Sequence, residues 1–226
     1  MLMEEILNGP SISKHDNPEK LIFMLHGYGD NAANFIHLAN PIDKEEWQAQ
    51  YVALNAPSVI NGNSMGYQWF DLYPNGIYIA DAGPKEFEQI QTEINDAINK
   101  IINTIEYYCE NLNLKINDCI LMGFSQGGMM TFEVGNFLKN KLAGLAILSG
   151  RIMNKKPIEN TKLKQTPIFI SHGEKDEVIP IRSFFNAKEF LNSNNCKFES
   201  HILAQDGHNI SPETITLLQN FIKKIL

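Results

Sequence analysis

The stretch from Cys119 to Met130 constrains this chain more than any other. Cys119-Ile120-Leu121-Met122 is a short apolar run that reads as a buried strand. Gly123-Phe124-Ser125-Gln126-Gly127 follows, and then Met129, Met130, Phe132, Val134, Phe137 and Leu138 recur at helical spacing. Strand, tight turn with serine at its apex, then helix is the context in which Gly-x-Ser-x-Gly becomes a nucleophile elbow. The reason is steric: the turn strains the backbone at Ser125, so the positions two before and two after must be small, and both are glycine. The following helix would aim free N–H groups and partial positive charge at an oxyanion beside the serine. A glycine-rich turn with a solvated serine needs only the same five residues, so the flanking strand and helix carry the reading.

The remaining chain alternates short apolar runs with amphipathic segments. Turn residues punctuate positions 1–19, which read as a short edge strand or hairpin. Leu21–Leu25, Tyr51–Leu54, Leu145–Leu148 and Pro167–Ser171 are continuous apolar runs, as expected of strands covered on both faces. Phe198 to Leu203 reads as the last strand. Asp30 or Asn31 can cap a helix that turns Phe35, Leu38 and Ala39 inward. Phe87, Ile90, Ile94, Ala97, Ile98, Ile101, Ile105, Cys109 and Leu112 keep three-and-four spacing, the clearest helix in the chain. Pro180 can open a helix carrying Ile181, Phe184, Phe185 and Leu191. Ser211-Pro212 reads as cap and first turn of a C-terminal helix. Positions 56–86 show no clear period. Positions 151–166 are basic and polar and read as a solvated connection. The alternation predicts an α/β fold, a mostly parallel central sheet with helices on both faces, in a single domain over residues 1–226.

Composition narrows the partners. A net charge of −7 argues against nucleic acid or an anionic membrane. No stretch is apolar enough to span a bilayer, so no stable membrane insertion is expected. The three cysteines, Cys109, Cys119 and Cys196, form no metal-ligand spacing; Cys109 and Cys119 read as small core thiols. The expectation is no metal and no cofactor. The first residues, Met1-Leu2-Met3-Glu4-Glu5, lack the pattern of a secretory signal, and a cytoplasmic protein is expected.

A serine hydroxyl needs a base, and a histidine base needs a carboxylate to fix its tautomer. In doubly wound sheets such groups sit past the carboxyl ends of strands. Glu174, Asp176 and Glu177 compete after the strand ending at Ser171, and Asp176 is the choice because the turn can return it to the strand end. His208, in Gln205-Asp206-Gly207-His208, follows the last strand, with Gly207 expected to allow the sharp turn. His15 and His37 lie away from strand ends and His201 inside a strand; His26 and His172 read as packing residues that shape the site. The order Ser125, Asp176, His208 is that of the α/β-hydrolase fold. Its second oxyanion donor comes from an early loop, here His26-Gly27-Tyr28-Gly29, so the expected donors are the backbone N–H groups of Tyr28 and Gln126.

With these residues in hand, the chain resembles the phospholipase/carboxylesterase family, the small serine esterases that include the acyl-protein thioesterases. The resemblance rests on Leu25-His26-Gly27-Tyr28-Gly29-Asp30, Trp69-Phe70-Asp71, Gly123-Phe124-Ser125-Gln126-Gly127-Gly128, Leu142-Ala143-Gly144, Leu148-Ser149, His172-Gly173 with Asp176 and Pro180, and Gly207-His208. It implies the triad Ser125, Asp176 and His208, oxyanion N–H groups at Tyr28 and Gln126, and hydrolysis of a small acyl ester or an acylated protein. It also implies that the loop around Met65 and Trp69 forms an acyl-binding wall, to which Phe70 adds apolar surface. Lysophospholipase activity and a catalytically silent binding protein on the same fold are the alternatives. No large cap domain is expected, because the connection from Ser149 to Pro167 is short and has no evident apolar face.

Overall fold

A computed structural model describes residues 5–60, 63–79, 83–153 and 156–226. The readings made of Met1 to Glu4 and of Lys155 lie outside these residues. In chain order the strands are β1 (Ser11–Ser13), β2 (Lys20–Leu25), β3 (Ala49–Leu54), β4 (Ser58–Ile60), β5 (Asn63–Gln68), β6 (Cys119–Phe124), β7 (Gly144–Leu148), β8 (Ile168–Gly173) and β9 (Phe198–Leu203). The α-helices are α1 (Ala32–Phe35), α2 (Ala39–Ile42), α3 (Pro84–Leu112), α4 (Gln126–Phe137), α5 (Thr161–Gln165), α6 (Arg182–Ser193) and α7 (Pro212–Ile225).

Seven strands form one sheet in the order β1-β3-β2-β6-β7-β8-β9. Only β1 is antiparallel, pairing Ile12 with Tyr51 at the edge. The chain steps from β2 outward to β3, then returns to place β6 on the other side of β2. The strand order therefore reverses between β2 and β6, whose carboxyl ends at Leu25 and Gly123 lie in register. In an open α/β sheet this reversal leaves a crevice past the strand ends, because the crossovers depart on opposite faces.

Side-chain alternation sorts the core into two layers. Leu21, Phe23 and Leu25 join α3, α4 and α6 in one buried cluster. Ile22 and Met24 join α1, α2 and α7 in the other. Successive residues of a strand point to opposite faces, so a strand covered twice is apolar throughout. Helix α4 is buried on every side from Gln126 to Gly135. It lies under α3, whose three-and-four pattern buries Ile90, Ile94, Ile98, Ile101 and Ile105.

Some expectations need correction. The helix after Asn31 is broken: Asn31 does cap α1, accepting from the Asn34 N–H at 2.9 Å, but a 3₁₀ turn separates α1 from α2. Residues 56–86 contain the β4–β5 hairpin and a 3₁₀ turn. Phe137, Phe87 and Phe185, expected to face inward, are 56%, 52% and 52% exposed. Each lies in the first or last turn of its helix; Phe184 and Leu138, next to two of them, are buried, so Phe185 and Phe137 lie outside the buried stripe.

The connection after β7 is anchored rather than solvated. Ile152, Ile158 and Leu163 are buried in it. Asn160 caps α5, its Oδ1 accepting from the Lys162 N–H at 2.9 Å, while its Nδ2 donates to the carbonyls of Asn136 and Leu138 at 2.7 and 2.8 Å. One side chain thus serves the start of α5 and the end of α4. Truncating Leu163→Ala should lower unfolding free energy by about 2–5 kcal/mol, as for buried leucines generally. A urea-midpoint shift equivalent to less than about 0.5 kcal/mol, typical of surface substitutions, would restore the solvated reading.

Candidate active site

β6 delivers Ser125 to the crevice in a backbone conformation that side chains rarely adopt, φ 55° and ψ −117°. Such a conformation costs about 1–3 kcal/mol and persists only where its surroundings over-determine it. Here the Ser125 N–H donates to the Leu148 carbonyl at 2.9 Å, and the Ser125 carbonyl accepts from the Met129 N–H at 3.0 Å. The helix starts so close to the neighbouring strand that a Cβ on Gly127 would stand 2.1 Å from the Leu25 carbonyl oxygen. A Cβ on Gly123 would stand 2.3 Å from the Gly127 carbonyl oxygen. The two glycines are therefore required by close approach, while the strain falls on the serine between them.

Three side chains from three strand ends meet in one hydrogen-bonded chain. The Ser125 Oγ lies 2.9 Å from the His208 Nε2. The His208 Nδ1 lies 2.7 Å from the Asp176 Oδ2. The carboxylate can only accept, so Nδ1 carries the proton and Nε2 is left with its lone pair towards the serine hydroxyl. The other carboxylate oxygen, Oδ1, accepts the N–H groups of Val178 and Ile179 at 2.9 and 2.8 Å. Asp176 is buried, and a buried carboxylate is sustained only by such partners. Of the three competing carboxylates, Asp176 is thus the one folded back under the histidine; Glu174 and Glu177 are exposed. His172 is buried beneath, its Nε2 donating to the Ile179 carbonyl at 2.7 Å and standing 3.4 Å from Asp176 Oδ2. The Phe124 ring tilts against the His208 imidazole at 4.8 Å.

The turn that carries His208 does not depend on Gly207, contrary to expectation. A Cβ there would make only ordinary contacts, 3.7 Å from the Lys175 carbonyl oxygen. The required glycine is Gly173 at the end of β8, where a Cβ would stand 2.2 Å from the Gly207 carbonyl oxygen. The acid loop and the histidine loop are pressed together there.

On the other side of Ser125 the loop after β2 closes in, with the Cβ position of Gly27 3.5 Å from the Ser125 Cβ. Gly29 has φ +82° and donates its N–H to the Tyr67 carbonyl at 2.9 Å, fastening the loop to β5. The Gln126 N–H is the first of α4 and has no intrahelical acceptor. Neither it nor the Tyr28 N–H is hydrogen-bonded among the described residues. His26 organises this loop from within. Its Nδ1 donates to the Gly27 carbonyl at 2.7 Å, and its Nε2 accepts from the Ala56 N–H at 3.1 Å. Burial lowers its pKa below the ordinary histidine value, against a smaller raising effect of the Gly27 carbonyl.

Trp69 and Phe70 do not form the expected apolar wall: each is only 1% exposed. The Trp69 indole Nε1 donates to the His26 carbonyl at 2.9 Å. The Gln126 side chain accepts from the Trp69 N–H at 3.0 Å and donates to the Phe70 carbonyl at 2.7 Å. These residues brace the elbow and the loop after β2. Met65, by contrast, is 74% exposed. The bracing role of the Gln126 amide was not read from the sequence, because its partners lie 56 and 57 positions away.

A parallel sheet with a strained serine between strand and helix, at the reversal of strand order, defines the α/β-hydrolase class. Within that class the chain belongs to the phospholipase/carboxylesterase family, whose model matches residues 8–226. It is 27% identical over 235 residues to an acyl-protein thioesterase 1 of Saccharomyces cerevisiae, covering 97% of this chain and 99% of the relative. A homologue of that protein in Dictyostelium discoideum is 26% identical, covering 91% and 90%. Among solved structures, esterase PE8 superposes with a TM-score of 0.85 at 27% identity, covering 98% of this chain and all of the other.

Two outcomes test this construction. Trp69→Ala should destabilise by about 3–5 kcal/mol and lower turnover of esters of every chain length together, since the indole is a brace. A loss confined to KM for long esters would return it to the pocket wall. His26 refuses in the folded state a proton that the unfolded chain accepts. Its contribution to stability is therefore complete above about pH 6.5, the unfolded histidine value, and declines as pH falls towards its lower folded pKa. His26→Gln, which keeps an acceptor without titrating, should show a shallower loss of urea stability between pH 7 and pH 5 than the parent. Equal slopes would show that His26 is not held neutral.

Proposed function

We propose that this chain is a serine hydrolase that cleaves carboxylic esters or thioesters through an acyl-enzyme on Ser125. The observation that carries the reading is the unbroken chain Asp176–His208–Ser125, with the lone pair of His208 Nε2 directed at the serine hydroxyl. The Ser125 Oγ attacks the acyl carbon while its proton passes to His208 Nε2. The carbonyl electron pair moves to oxygen, where the N–H groups of Tyr28 and Gln126 receive the negative charge. As the carbonyl re-forms, the alcohol or thiol leaves and takes the proton from His208. Water then repeats the sequence on the acyl-enzyme, releasing the acid and returning the proton to serine. Asp176 stabilises the imidazolium formed in each half without itself becoming protonated.

The substrates are small acyl esters or acylated proteins. Family membership and the acyl-protein thioesterase relatives support both, and no helix among the described residues is long and apolar enough to cross a membrane. The free cysteines Cys109, Cys119 and Cys196 support a reducing compartment, the cytoplasm. All of residues 1–226 act as one domain, and no group of histidine, cysteine or acidic residues suited to a metal occurs among the described residues.

Ser125→Ala should lower kcat on a p-nitrophenyl ester by about 10³-fold or more without loss of fold, and His208→Ala by nearly as much. Because the residues act as a unit, the double variant should lose little beyond either single one. Additive losses, or labelling of Ser125→Ala by a fluorophosphonate, would overturn the assignment. Activity should withstand both EDTA and dithiothreitol. Loss of activity in either, restored by metal or by oxidant, would refute a reaction carried by these side chains alone.

A further inference from the structure

The segment that aims Asp176 has few ties of its own. Glu177 and Val178 are exposed, and among the described residues positions 177–179 make no backbone-to-backbone hydrogen bond. The N–H groups of Val178 and Ile179 both go to Asp176 Oδ1. The carboxylate is therefore only as well placed as the segment that grips it. One hydrogen bond ties that segment to the sheet: the Ile179 carbonyl accepts from His172 Nε2 at 2.7 Å. His172 lies in β8 and is buried, as is Ile179, and Pro180 follows with no N–H to offer. Without the imidazole, the Ile179 carbonyl would be a buried acceptor left unpaired.

The surroundings also fix which nitrogen of His172 carries a proton. A carbonyl oxygen only accepts, so the proton is on Nε2. The same nitrogen stands 3.4 Å from Asp176 Oδ2, the oxygen that receives the His208 Nδ1–H at 2.7 Å. A bare Nε2 would turn its lone pair towards both a carbonyl and a carboxylate oxygen. The catalytic carboxylate is thus flanked by two imidazoles, one bonded to it directly and one holding the loop that grips it. The His172 ring also packs against Phe184 of α6, with ring centres 6.2 Å apart. Packing alone is the competing account of this histidine, and it requires no particular proton.

We infer that His172 is a positioning residue for the reaction: its Nε2–H holds the Ile179 carbonyl and thereby keeps Asp176 aimed at His208. The inference rests on the Ser125 esterase reading and adds a residue to it. Two variants separate the hydrogen bond from the packing. His172→Phe keeps an aromatic ring against Phe184 and loses the donor. His172→Gln loses the ring and keeps an N–H donor. In His172→Phe, kcat on a p-nitrophenyl ester should fall about tenfold or more, the scale of leaving one buried acceptor unpaired, with KM little changed because His172 does not touch the ester. Fluorophosphonate labelling of Ser125 should slow in parallel, since it needs the same proton transfer. His172→Gln should recover much of the loss, although it packs less well. In proton NMR, the far-downfield resonance of the His208 Nδ1–H should persist in the parent and in His172→Gln and weaken or shift in His172→Phe. Parent-like kcat in His172→Phe, or losses in both variants that follow their urea midpoints, would make His172 a packing residue and overturn the inference. The parent supplies a test that needs no variant to fold: heteronuclear NMR should find the His172 proton on Nε2, and a bare Nε2 overturns the inference directly. That measurement does not depend on activity. Failure of the parent to hydrolyse esters or to label at Ser125 therefore removes the esterase reading and is told apart from failure of the inference.

Discussion

The left-handed backbone at Ser125 is the constraint on which the site depends. A serine at φ 55° is uphill by about 1–3 kcal/mol. It is kept there by strand, helix and neighbour together: its N–H is claimed by β7, its carbonyl by α4. Gly127 lets α4 begin against the end of β2. Release any one and the serine could relax into the helix or the strand, taking its hydroxyl out of the crevice. The strain is also what holds the serine at the apex between strand and helix, with the first N–H of α4 beside it and unclaimed. Local cost and reactivity have the same geometric origin.

Around that serine the fold surrounds polar groups with a second set of buried polar groups. Asp176 is buried, yet its two oxygens face three N–H donors, two from backbone and one from His208. His26 is buried and neutral, one ring nitrogen donating and the other accepting. The Gln126 amide spans Trp69 and Phe70. Buried polar groups satisfied on all sides rigidify their surroundings, and half-satisfied ones are costly. The site thus gains precision from the interactions that make burial tolerable. Among the described residues the Arg151 Nε, just past β7, and the Asp206 Oδ2, two positions before His208, are exceptions, buried without a hydrogen-bond partner.

The sequence alone determined a large part of this. Gly123-Phe124-Ser125-Gln126-Gly127 between an apolar run and a helical pattern is a local signal, because the strand, the turn and the helix are adjacent in the chain. The alternation of strands and helices marked the parallel sheet, since strands buried on both faces leave continuous apolar runs. The order of Ser125, Asp176 and His208 could be read for the same reason: each follows the end of a strand whose apolar run is visible. Those are properties of neighbours in sequence.

Tertiary structure decided what depends on distant contacts. Whether Trp69 lines a pocket or braces a loop turns on partners at His26 and Gln126, 43 and 57 positions away, and periodicity carries no record of them. Gly173 rather than Gly207 proved indispensable, because the clash is with a loop that arrives later in the chain. The basic connection after β7 is pinned by Ile152, Ile158 and Leu163, isolated apolar residues whose spacing forms no period but whose burial is complete or nearly so. Phe87, Phe137 and Phe185 keep helical spacing yet stand out in solvent, while Phe184 and Leu138 beside two of them are buried, because spacing alone does not fix the margins of the buried stripe. Sequence periodicity reports the average environment along one element; the carboxyl-end crevice and its braces exist only where several elements meet.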